Sequence, residues 1–153
     1  MAAVVPIAIS ILALALSSLV FVDSRRRHRR DLFLNIHEVM ISADQYRGRQ
    51  LLLAGSHDQN SIERLPDEVR ANVSRAIAMY DTLGLYMKRG YLVEKDVFDM
   101  WGFPARRAWR AAEPFVERRR NAARGQPAYP YFRYLAERAE SQRGVTEARL
   151  RDV

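Results

Sequence analysis

Five arginines crowd six positions: Arg25, Arg26, Arg27, Arg29 and Arg30, with His28 among them. A guanidinium cluster of this density beside an apolar run binds anionic lipid headgroups, at about 1 kcal/mol per cation near the surface. It also marks the side of a membrane on which the following chain stays. A second basic group, Arg106, Arg107, Arg110, Arg118, Arg119, Arg120 and Arg124, lies near Trp101, Phe103 and Trp109. Cations interleaved with aromatics invite a nucleic-acid reading. The plainer reading is a solvated anion- or partner-facing surface with its aromatics turned into the core. Glu94, Asp96 and Asp99 are close enough in sequence to act as acid and base if one is buried. Beside Lys95 they read more simply as the acidic start of a helix. His28, His37 and His57 have Glu38, Asp44 and Asp58 nearby, but no pair has metal-ligand spacing, and His37-Glu38 lacks the second histidine of HExxH. There is no Cys, which excludes a disulfide framework, a Cys-based zinc site and a Cys nucleophile. No phosphate-binding glycine loop or nucleophile elbow occurs, so the residues imply no catalytic group, metal or cofactor.

The elements that must carry these residues are of two kinds. Of residues 1–22, 18 are apolar and none is charged; Pro6, Ser10, Ser17 and Ser18 are the exceptions. Residues 2–22 form a helix of about 31 Å at about 1.5 Å per residue, matching a hydrocarbon core of about 30 Å. A cleaved signal peptide would have a basic start and a shorter apolar region. The first Arg is Arg25, after the run, so the pattern reads as an uncleaved signal-anchor. The expected topology is single-pass, with the N-terminus outside and the C-terminal domain in the cytoplasm. Ser10, Ala13 and Ser17 share one face of this span, a spacing that lets membrane helices approach closely. The formal charge of +7 divides accordingly: residues 1–30 hold +4 and residues 31–153 only +3.

Residues 31–41 have Leu32, Phe33, Ile36, Val39 and Met40 at helical spacing. Ser42-Ala43-Asp44-Gln45 has the spacing of a capping box and starts a second helix that ends near Gly55, with Gly48 as a weak point. Residues 56–61 are a polar loop. Pro66-Asp67-Glu68 opens a long helix striped by Val69, Val73, Ile77, Tyr80 and Leu83, and Lys88-Arg89-Gly90 closes it. A short helix over 94–101 should break at Gly102-Phe103-Pro104. A helix over 105–123 should kink at Pro114 or break one turn before it, and a last helix covers 129–143. The tail from Gly144 should fray. The fold class is therefore all-α: a transmembrane helix (1–22), a basic collar (23–30), a compact bundle of about five to six helices (31–143) and a tail (144–153).

The run LGLYMKRGYLVEKDVFDMWG, then Trp109, Glu113-Pro114-Phe115-Val116 with Arg119 and Arg120, and Tyr131-Phe132 with Leu135, resembles a family of uncharacterised bacterial membrane-anchored helical proteins, a domain of unknown function. The resemblance implies an anchor followed by a helical domain and transfers no catalytic residue. The Arg-rich composition, 23 of 25 basic residues, fits a GC-rich bacterial genome. The combined expectation is an anchored interaction or scaffold module at the bacterial inner membrane. Its partners are anionic lipid and a protein, or a second copy of itself. The alternatives are membrane-tethered nucleic-acid binding and, further off, a small enzyme using the 94–99 acids.

Overall fold

The computed structural model describes residues 4–54, 66–122 and 128–151, with side chains at 12–14, 16–54, 66–121 and 128–142. Among the described residues all regular secondary structure is helical. The elements are α1 (Val4–Ile41), α2 (Ala43–Ala54), α3 (Asp67–Lys88), α4 (Glu94–Val97), a π turn (Phe98–Gly102), α5 (Phe103–Ala122) and α6 (Pro130–Arg151). From Val4 onward the apolar run, the collar and the helix of residues 31–41 are one unbroken helix, because no Gly or Pro lies between Pro6 and Ile41. At about 1.5 Å per residue α1 is about 57 Å long. It ends where Ser42 bends the chain and its carbonyl accepts the Tyr46 N–H at 2.9 Å.

α3 is the centre of the bundle, lying against α2 on one side and α6 on the other. Val73, Ile77, Tyr80 and Leu83 on its stripe are completely buried, and Tyr80 stacks on Phe132 of α6 at 4.9 Å. Two glycines set how closely the helices meet. A Cβ on Gly48 would lie 2.5 Å from the Asn72 carbonyl, so this residue is a packing requirement and not a flaw in α2. A Cβ on Gly84 would overlap the Tyr131 carbonyl.

The end of α3 follows from its last residues. Gly90 takes φ +70, its N–H donates to the Met87 carbonyl, and the Tyr91 N–H donates to that of Tyr86. This is a Schellman cap, and the Tyr86 and Tyr91 rings supply the apolar contact that accompanies one, 5.8 Å apart.

Three boundaries differ from the sequence expectation. The chain stays helical through Gly102-Phe103-Pro104, because a π turn absorbs the change and leaves Pro104 in the first turn of α5, where a missing N–H costs little. α5 also continues through Pro114. A mid-helix proline costs about 3 kcal/mol, and burial of Phe115 and Val116 against the core returns about 1.5–3 kcal/mol each. α6 starts after Tyr129, held at φ 53, and runs to Arg151, past the Gly144 at which the sequence suggests fraying. Val39 also faces outward, exposed on α1.

Candidate functional site

The two arginine groups are placed very differently. In α1, Arg25, Arg26, Arg27, Arg29 and Arg30 are all exposed. Arg27 pairs with Asp23 at 2.7 Å within the helix, and Arg25 lies over the Phe21 ring at 5.5 Å. Among the described residues no carboxylate pairs with Arg25, Arg26, Arg29 or Arg30.

In α5 the positive charge is largely matched by acids of α5 and α6. Arg106 is mostly buried, holds Glu140 at 3.2 Å and donates to the Ala139 carbonyl at 3.0 Å. Arg110 also reaches Glu140 and Arg120 holds Glu117 at 2.6 Å, while Arg119 donates to the Tyr129 hydroxyl at 3.0 Å. Arg118 is engaged as well, Arg107 is exposed, and Arg124 lies outside the described residues. Trp101 and Trp109 are buried as core residues, whereas Phe103 faces out under Arg106.

The three acids are not gathered into an acid–base site. Glu94 is half-buried and holds Arg138 of α6 at 2.7 Å; Asp99 pairs with Lys95 at 2.7 Å; Asp96 is exposed. His28 is exposed on α1, His37 lies against Trp101 at 5.6 Å, and His57 is outside the described residues. Among the described residues no three metal-binding side chains gather.

Two features had no sequence signal. Asp81 of α3 accepts the backbone N–H groups of Tyr131 and Phe132 at 2.8 and 2.9 Å, capping α6 from another helix. Burial raises its carboxyl above the ordinary value, and the two N–H bonds pull the other way. The second is a polar cluster inside the apolar core. Arg49 donates to the Met40 carbonyl at 2.5 Å and lies over the Trp101 ring at 5.6 Å. The Tyr80 hydroxyl is buried nearby, its pKa pushed up to about 12 by desolvation, with Arg49 opposing. Arg49 thus ties the base of α1 to α2 and the π turn, while the Tyr80 hydroxyl has no hydrogen-bond partner among the described residues.

A family model described as a domain of unknown function, DUF4760, matches residues 2–139. The chain belongs to this family. The match spans the apolar run, the collar and all packed helices, so the family domain includes α1 as well as the bundle. No curated protein and no solved structure matches the chain.

Among the described residues of this family member, no helix is long and apolar enough to cross a membrane. The described side chains of the apolar run begin at Leu12. Leu12, Leu14, Leu16, Leu19, Val20, Phe21 and Val22 are all exposed, and none belongs to the core cluster or packs against it. Ser18 turns its hydroxyl onto the Leu14 carbonyl at 2.8 Å. Ala13 and Ser17 are exposed, and the Ser10 side chain lies outside the described residues.

Proposed function

We propose that this chain is a single-pass signal-anchor protein of the bacterial inner membrane whose helical domain is a cytoplasmic interaction module. One observation carries the reading: the described apolar side chains at 12–14, 16 and 19–22 are exposed around α1, and five exposed arginines follow them from Arg25. An exposed apolar surface of this size is costly in water and marks a membrane or partner contact. Residues 12–22 make about 16 Å of helix, roughly half a hydrocarbon core. The apolar sequence of residues 2–11 supplies the rest. The Ser18 hydroxyl bonded to its own helix suits an apolar surrounding, where an unpaired polar group is expensive.

The collar then lies against anionic headgroups, and the folded domain is held at the membrane surface to engage a protein partner or a second copy. The nucleic-acid alternative draws little from α5, since its arginines spend their charge on Glu140 and Glu117. The test is alkaline carbonate extraction of membranes, together with a reporter fused after Val153. The protein should stay in the pellet with the reporter active in the cytoplasm. Release into the supernatant, or a reporter active only outside, overturns the reading.

A further inference from the structure

The face of α1 that enters the bundle through Ile36 and Met40 continues upward through Leu32, Arg29, His28 and Arg25, at spacings of three and four. Opposite this face stands the Schellman cap of α3. Between them is a groove of about 540 Å³, lined by Arg25, His28, Arg29 and Leu32 from α1 and by Tyr86, Arg89, Gly90 and Tyr91 from the cap. Three guanidiniums and an imidazole share it with two phenol rings, and no carboxylate lines it.

The tertiary fold makes this arrangement, because Arg89 comes from a loop sixty residues away from the collar. A cation near a helix C-terminus is favourable by itself, through the helix dipole. That effect gives no reason for Arg25 and Arg29 to converge on the same space. Here the Leu85, Tyr86 and Met87 carbonyls of α3 are already satisfied by N–H donors of the cap, and three arginines line one cavity that no carboxylate lines. Lys88, the neighbouring cation, is turned away onto the Tyr131 and Tyr134 rings of α6. An adjoining groove, with Arg26, Arg30, Phe33 and Val93, shares Arg29 with this one and contains Asp96. The grooves on either side of the collar, the second with His28, Asp23 and Asp31, each have a carboxylate in their lining, and the Arg89 groove has none.

We infer that this groove binds a phosphate-bearing anion, presented as the headgroup of an anionic phospholipid. The inference rests on the membrane reading above. Guanidiniums bind phosphate oxygens in bidentate, charge-assisted pairs. The two tyrosines add an apolar wall with hydroxyl tips, the combination that sits well at a membrane interface. The depth also fits: Arg25 and Arg29 lie about 4.5 and 10.5 Å along α1 beyond Val22, at and just past the headgroup layer.

The test uses the full chain in a zwitterionic detergent, titrated with short-chain phosphatidylglycerol, short-chain phosphatidylcholine and inorganic phosphate, and read by native mass spectrometry or calorimetry. Phosphatidylglycerol should bind, and Arg89→Gln should weaken it about tenfold, while Arg107→Gln on α5 leaves it unchanged. Preference for phosphatidylglycerol over inorganic phosphate supports the lipid source. Equal or tighter binding of inorganic phosphate, still lost in Arg89→Gln, overturns that source and makes the groove a free-phosphate site. Absence of binding, equal binding of phosphatidylcholine, or binding indifferent to Arg89→Gln overturns the inference. Far-ultraviolet circular dichroism of Arg89→Gln establishes that the cap still folds, and Arg25→Gln gives a second approach to the groove from α1. Carbonate extraction of the same protein separates the two claims. Retention in the membrane with no phosphate binding sinks only the groove, whereas extraction sinks the anchor.

Discussion

α1 and the bundle use the same two residue classes in opposite ways. In the bundle most leucines and aromatics are buried, and Arg106, Arg110, Arg120 and Arg138 are matched by Glu140, Glu117 and Glu94. Along residues 12–30 of α1, leucines are exposed and four of five arginines have no carboxylate partner among the described residues. A set of side chains that cannot satisfy itself needs an outside phase, and one that can satisfy itself forms a core. The partners each side chain finds, which composition alone does not show, distinguish the two environments.

The largest way to break it is at a helix crossing. Gly84→Val should destabilise the bundle by about 3 kcal/mol or more, because the new side chain must displace the Tyr131 backbone. Leu16→Ala, in the exposed arm, should leave the thermal unfolding of the detergent-solubilised protein unchanged. Equal effects of the two would remove the distinction between arm and core.

Next comes alkaline pH. The folded pKa of Tyr80 is raised above its ordinary value of 10, so folding favours the neutral phenol. Its contribution is complete below pH 10 and is lost as pH rises towards 12, a decline of about 2–3 kcal/mol. Tyr80→Phe, which keeps the stack on Phe132, should abolish that decline in denaturant titrations at pH 9 to 12. A wild type and variant of parallel slope would show that Tyr80 is not buried as described.

A smaller effect is expected at the inter-helix cap. Asp81→Ala should cost about 1–2 kcal/mol by leaving the Tyr131 and Phe132 N–H groups unpaired, and Asp81→Asn should recover part of it. Hydrogen exchange at those two amides checks this; unchanged protection in Asp81→Ala would refute the cap. Smallest is Glu140→Gln, which loosens Arg106 and Arg110 by about 1 kcal/mol and should raise non-specific polyanion binding. No change in polyanion binding would mean the α5 arginines are not neutralised by α6.

Much of the bundle was legible because helical periodicity, the Lys88-Arg89-Gly90 stop and the acidic start at Asp67 are local signals, and local hydrogen bonding obeys them. The breaks expected at Gly102 and Pro114 were not found, because their local cost is smaller than the burial gained by keeping α5 against α3 and α6. Gly48 read as a weakness for the same reason: its use lies in Asn72, on another helix. The groove was half legible. Arg25 and Arg29 stand out in the collar, but nothing in the sequence pairs them with Arg89, Tyr86 and Tyr91.

The sequence by itself determined an all-helical chain, an apolar run ended by arginines, and a folded part of nearly balanced charge, since composition and spacing are properties of the chain before it folds. Only the tertiary structure decided which arginines are answered by carboxylates and which converge unanswered on one cavity, because partners forty or sixty residues apart meet only through packing.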